Sequence, residues 1–220
     1  MLLADRILFI DAEALVVDKP AGLPVDAPRD GGLSVASHLD SLRFGFQRRP
    51  VPVHRLDRDT SGALLLARNE RTQRRYHQAF ENGEVCKVYL AVLDGEPDAD
   101  GGEVALALSK VSSAGGGWRI IPARKGKPAR TRWTRLGTAD GQTLVRFEPE
   151  TGRTHQLRVH AASGLDAPIA GDAVYGRGGA PMLLHAAELT LPRPGKADLA
   201  AVAPLPPHFP AWAHDLVRPA

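Results

Sequence analysis

The sequence predicts a strand-dominated fold with few helices, built as one domain over residues 1–220. Three observations carry this expectation. Short apolar runs recur along the chain between clusters of Gly, Pro, Asp and Ser, the pattern of strands separated by turns. Helical spacing of apolar residues arises in only three segments. A chain of 220 residues with 43% hydrophobic content is also long enough to bury one substantial core.

Taken in order, residues 7–10 and 14–17 read as two short strands of a hairpin, and Lys19-Pro20-Ala21-Gly22 then breaks regular structure. Ser34 suits the N-cap of a helix that places Val35, Leu39 and Leu42 on one face and stops near Gly45. Residues 51–56 and 63–67 are strand-like runs joined by Asp57-Arg58-Asp59-Thr60-Ser61-Gly62, a hexapeptide of turn formers. Asp57 is therefore expected where a strand ends. A second helix covers residues 70–80, and strands follow at 87–93, 104–108, 130–136, 143–148 and 182–191. Thr154 would cap a third helix, with Leu157, His160, Ala161 and Gly164 on one face and Arg158 at its flank. Pro and Gly punctuate residues 192–219 so heavily that they read as an ordered tail laid over the surface.

Net charge is +3, from 28 Lys+Arg against 25 Asp+Glu, but its distribution is uneven. Residues 104–139 contain no acid, while Lys110, Arg119, Arg124, Lys125, Lys127, Arg130, Arg132 and Arg135 are basic. Such a run is either a solvated strand face or a field that attracts phosphates. The single cysteine, Cys86, excludes an internal disulfide and four-cysteine metal sites, fits a reducing cytoplasm and reads as a small buried residue. Asp5, Arg6, Asp11 and Glu13 interrupt the N-terminal apolar residues, and no run approaches the ~18 needed to span a bilayer, so no membrane partner is expected. His155 and His160 would be turned about 140° apart on a helix and lack a carboxylate partner, so no metal site is expected. Gly126-Lys127 is followed by Pro128 where a phosphate-binding loop needs Ser or Thr, and no Gly-x-Ser-x-Gly elbow occurs.

Chemistry concentrates in residues 53–62, Val-His-Arg-Leu-Asp-Arg-Asp-Thr-Ser-Gly, and 150–160, Glu-Thr-Gly-Arg-Thr-His-Gln-Leu-Arg-Val-His. Asp57 is either a turn cap or a catalytic carboxylate, and Asp59 fits turn capping better. Arg158 is either a surface charge or the partner that favours the ionised form of a pocket carboxylate. Spacing alone leaves both choices open.

These segments, together with Lys19-Pro20-Ala21-Gly22-Leu23-Pro24-Val25, Lys87-Val88-Tyr89-Leu90-Ala91 and Leu184-His185-Ala186, closely resemble in order and spacing the RluA-type RNA pseudouridine synthases. The resemblance runs from about residue 7 to 191. It implies a single α+β catalytic domain, with a mixed, mostly antiparallel sheet, flanking helices and a central RNA-binding cleft. It also implies that Asp57 is the catalytic carboxylate, that Arg55 takes the place of the flipped base, that Tyr89 packs on the target base and that Arg158 pairs with Asp57. No S4-like RNA-binding domain precedes Lys19, so a minimal catalytic form is expected, and residues 112–117 and the tail after Leu191 match no motif of the family.

The chemistry implied is isomerisation of uridine: the bond from N1 to the ribose breaks, the base turns, and C5 rejoins the sugar. No redox change or energy input occurs, so no cofactor is needed, and a carboxylate serves as nucleophile or base. The target base must leave its stack, which costs a few kcal/mol unless a loop has already exposed it. The expected partner is structured RNA, ribosomal or transfer RNA, bound by a cytoplasmic monomer through Arg55, Arg124, Lys125 and Lys127. Two other classes stay open, a retaining glycoside hydrolase using Asp57 and a non-catalytic RNA-binding protein. With 5% aromatics and no evident second acid the first is poorly supported, and the second has no use for an aspartate where phosphates approach.

Overall fold

Continuous apolar runs become strands covered on both faces. In the computed structural model, which describes residues 2–28, 31–112, 117–179 and 181–217, β2 (Ala14–Lys19) and β4 (Ser61–Ala67) are buried along their whole lengths. Their contacts divide the chain into two compact units, Met1–Lys87 with His185–Leu205, and Val88–Leu184 with Pro206–Ala220.

In the first unit β1 (Ile7–Ile10), β2 and β4 are antiparallel neighbours, and the short β3 (Val51–Pro52) pairs with the far end of β4. The strand β10 (Leu184–Leu191) lies parallel to β4, with His185 opposite Ser61 and Ala186 opposite Gly62, and β11 (Leu199–Val202) closes on β10. The pairing depends on Gly62. Its φ is +108°, and a Cβ there would sit 2.2 Å from the Ala186 carbonyl oxygen. Helix α1 (Val35–His38) begins with a capping box at Ser34, and α2 (Glu70–Glu81) is capped by Asn69. Tyr76 and Ala79 of α2 join Val16, Leu65, Leu189 and Leu199 in the core of this unit.

The second unit is antiparallel: β5 (Cys86–Asp94), β9 (Gln142–Pro149), β8 (Lys127–Ala139), β6 (Gly101–Ser112) and β7 (Trp118–Pro122) follow one another in space. Its core gathers Leu93, Trp133, Val145, Phe147, Leu157 and Ile169. Helix α3 (Gln156–Val159) continues into a π-helical turn, His160–Gly164, and α4 (Ala211–Val217) comes near the chain's end. Together the strands form a mixed, mostly antiparallel fold with few helices, an α+β architecture. Among the described residues no helix is long and apolar enough to cross a membrane.

Several expectations need correction. The first helix ends at His38, because residues 41–43 bond three positions back, Ser41 N–H to His38 and Leu42 N–H to Leu39, and Phe44 turns to φ 44°. Strand 51–56 stops at Pro52, and Asp57 therefore precedes a strand, β4, and does not end one. Thr154 caps nothing: the N-cap of α3 is His155, whose φ of 52° and ψ of 20° place it in the left-handed region. The tail contains β11 and α4, and β7 was not anticipated. Cys86 is exposed. Of residues 112–117, 113–116 lie outside the described residues.

Candidate active site

In the first unit the geometry around Asp57 is built from three attachments. The Thr60 N–H donates to the Asp57 carbonyl at 3.2 Å and closes the turn that launches β4. His54 Nε2 accepts the Leu65 N–H at 2.9 Å, and its ring stacks on Phe80 at 4.7 Å. This side-chain bond replaces the ladder that a longer β3 would have made. Removal from water, with Lys87 nearby, pushes the His54 imidazole down to about 3, so it is neutral and free to accept.

The third attachment is Lys19, fully buried at the end of β2, whose Nζ donates to the carbonyls of Pro20 at 2.9 Å, Leu23 at 2.8 Å and Arg58 at 3.0 Å. It ties the segment after β2 to the turn that carries Asp57. Burial pulls its ammonium down to about 7, while Asp59, Asp57 and Asp18 pull the other way. Beneath the turn, Ser61 Oγ lies 2.9 Å from His185 Nδ1, and His185 Nε2 lies 3.2 Å from the Ala203 carbonyl. Arg55 stands outward with its side chain 80% exposed, 3.4 Å from Asp26, and Arg58 pairs with Asp59 at 3.0 Å.

In the second unit Tyr89 lies on β5 opposite Phe147, half-buried against the core. Arg158 is buried and grips Asp172 in a bidentate pair, Nε to Oδ2 at 2.7 Å and Nη2 to Oδ1 at 2.8 Å. Burial pushes the Asp172 carboxyl up, but Arg158 and the N–H groups of Val174 and Tyr175 outweigh it and hold the group below its ordinary value. The start of α3 is fixed by Gln156, which donates to the Arg130 carbonyl and Thr131 Oγ1 and accepts from Thr151 Oγ1 and the Arg153 N–H. Tyr175 puts its ring 5.2 Å from the Arg158 guanidinium, and its hydroxyl accepts the Ile120 N–H at 2.8 Å and meets His155 Nδ1 at 2.9 Å. His160 is buried with neither ring nitrogen partnered among the described residues, and burial lowers it to about 4.

Apart from Lys110, whose ammonium lies 4.4 Å from the Trp118 ring centroid, the basic run resolves into two classes. Arg130 lies near Glu103 and Glu150, Arg132 near Glu150, and Arg135 near Asp100, so acids outside the run offset these three. Arg119, Arg124, Lys125 and Lys127 are exposed, and no carboxylate among the described residues pairs with them. Arg124 and Lys125 project from residues 123–126, a bulge between β7 and β8 as both pair with β6. Gly126 permits the bulge, since a Cβ there would lie 2.5 Å from Leu108 N and 2.7 Å from Ala107 C.

Lys19, Asp172 and Tyr175 were not assigned roles from the sequence. Lys19 opens a segment that marks both a break in regular structure and the family resemblance but gives this side chain no role, and Gly171-Asp172-Ala173-Val174-Tyr175-Gly176 carries turn formers around an acid, a weak signal.

Residues 13–163 match the family described as RNA pseudouridylate synthase. An uncharacterized RNA pseudouridine synthase of Zymomonas mobilis subsp. mobilis is 54% identical over 212 residues, covering 94% of this chain and 97% of the relative. Ribosomal large subunit pseudouridine synthase C of Escherichia coli is 35% identical over 209 residues, 90% of this chain and 65% of that protein. Among solved structures, human RNA pseudouridylate synthase domain containing 4 matches with a TM-score of 0.79 and 28% identity over 94% of this chain and 91% of its own. With one family matching most of its length and a relative aligned nearly end to end, the chain belongs to the RNA pseudouridylate synthase family and is an RNA pseudouridine synthase, an isomerase.

Proposed function

We propose that this isomerase acts on specific uridines of ribosomal RNA, transfer RNA or both, with Asp57 as its catalytic carboxylate. The observation that carries the assignment is the turn at Asp57, held by the Lys19 bond to the Arg58 carbonyl and by Thr60, inside the segment His54-Arg55-Leu56-Asp57-Arg58-Asp59-Thr60-Ser61-Gly62. A carboxylate on a fixed turn loses little further freedom when it attacks a sugar or removes its proton, which supports this reading. Ribosomal RNA is favoured by relatives such as the Escherichia coli protein, whose name specifies the ribosomal large subunit.

In this reading Arg55, long and exposed, fills the space left by the extruded base, and Tyr89 packs on the uracil. Arg158 presents its charge to Asp57 while Asp172 holds the guanidinium in orientation. Arg124, Lys125 and Lys127 contact phosphates. The protein works as a monomer without a cofactor. Family membership sets aside the glycosidase and the non-catalytic binder.

The test is to incubate the protein with total cellular RNA lacking the modification and to map new pseudouridines. Asp57→Asn should abolish isomerisation and leave folding and RNA affinity unchanged, because a neutral amide is neither nucleophile nor base. Appreciable turnover by Asp57→Asn on a mapped site would remove Asp57 from the mechanism.

A further inference from the structure

Trp118 opens β7 on the basic hairpin and keeps 44% of its surface exposed. The His155 ring stacks on its indole with centroids 4.9 Å apart at 28°. His155 is itself constrained twice, by its left-handed backbone and by the bond of Nδ1 to the Tyr175 hydroxyl at 2.9 Å. Tyr175 is tied back to β7 through the Ile120 N–H and lies edge-on to His155 at 5.6 Å. An exposed aromatic side chain is thus positioned by the same segment that carries Arg158. An aromatic face ordered in advance has already lost the freedom that binding would otherwise remove. Around it the charge is positive: the Lys110 ammonium is 4.4 Å from the indole centroid, and Arg119 follows directly in sequence. An aromatic face among cations suits a nucleobase with its flanking phosphates.

We propose that Trp118 is a stacking platform for an unpaired nucleobase of the substrate RNA, a base other than the uracil being isomerised. The inference rests on the RNA-isomerising function above and adds a recognition residue outside the family motifs. The incoming base takes the position over the ring that the Lys110 ammonium holds, and the ammonium swings on its flexible stem to a phosphate. Because every base has a π face, the platform selects exposed bases over paired ones before it selects sequence.

The experiment reads the indole directly. Titration of the wild-type protein with a single-stranded oligoribonucleotide should quench part of its tryptophan emission, and a duplex of equal length, whose base faces are covered, should not. Trp118→Phe keeps a stacking ring and should bind the single strand within about twofold of wild type while losing the quench, since Trp133 is buried and Trp212 half-buried. Trp118→Ala should weaken single-strand binding about tenfold with no change in the logarithmic salt slope. Lys110→Ala should flatten that slope by about 0.7. No quench in the wild type, an undiminished quench in Trp118→Phe, or wild-type affinity in a folded Trp118→Ala protein would overturn the proposal. Should Trp118→Ala fail to fold, the quench in Trp118→Phe decides. A wild-type protein that shows the quench but places no pseudouridine in cellular RNA would refute the proposed function and leave the stacking site standing.

Discussion

Lys19 sets the chemistry of its neighbourhood by counting protons. Serving the carbonyls of Pro20, Leu23 and Arg58 at once takes all three ammonium hydrogens, while burial lowers the group to about 7. Between that value and the ordinary lysine value of 10.5 the folded protein binds fewer protons than the unfolded chain. This group's contribution to stability therefore rises with pH across that window, and the cost of burying its charge is fully present below it. Activity should move the opposite way: as the third donor is lost above about pH 7, the Arg58 carbonyl is released and kcat falls. Lys19→Met should show a reduced kcat that no longer varies there, measured as a pH profile beside thermal melts. The Arg158–Asp172 pair carries the same sign in a lower window, since folding depresses this pKa too. Asp172 is held below 3.8, so its stabilisation is fully present above that value and is lost as pH falls through the lowered folded pKa. With side chains 8% and 0% exposed, Asp172→Asn leaves a buried guanidinium poorly matched and should cost about 3–5 kcal/mol in urea unfolding.

At the level of elements, the bulge at residues 123–126 is the clearest case of backbone shape presenting charge. Gly126→Ala forces a methyl against the Leu108 and Ala107 backbone, so the bulge must shift and carry Arg124 and Lys125 with it. It should cost about 1–3 kcal/mol and weaken RNA binding though no charge is removed, as melts and binding isotherms would show. Elements differed in how far the sequence revealed them. β2 and β4 were legible because Ala-Leu-Val-Val and Ala-Leu-Leu-Leu-Ala are unbroken apolar runs, and α2 because apolar residues recur at helical spacing over residues 70–80. β7 was not, because Trp-Arg-Ile-Ile-Pro is short and ends in proline, and it forms only against the edge of β6. β11 likewise exists as the hairpin partner of β10, across residues 192–198, where Pro and Gly concealed it. The motif residues of the site were visible, but their supports were not. Lysine is rarely buried, so Lys19 gave no sign of its place, and Asp172 meets Arg158 fourteen positions on, across a π-helical turn and a loop whose return path no periodicity describes.

For the molecule as a whole, a net charge of +3 understates its attraction for RNA, because Arg119, Arg124, Lys125 and Lys127 lie together on the β6–β8 segment, exposed and with no carboxylate paired to them among the described residues. Replacing Arg124, Lys125 and Lys127 together by alanine should weaken binding to every RNA tested and reduce the logarithmic salt slope by about two to three, at about 0.7–0.9 per phosphate. Filter binding across a salt series would measure it, and wild-type affinity and slope would return these residues to a solvated face. The parallel partner of β4 has a further effect, in time. Ser61 waits for His185, 124 positions later, so the strand under the Asp57 turn lacks its neighbour while the ribosome is still translating. At about 5–20 residues per second that delay is about 6–25 s, and the nascent chain passes through it with one edge of β4 open. The protein therefore emerges from synthesis with the edge of the strand beneath the Asp57 turn among the last parts to be covered, and exposure to chaperones, or to pairing with another nascent chain, is greatest in that interval.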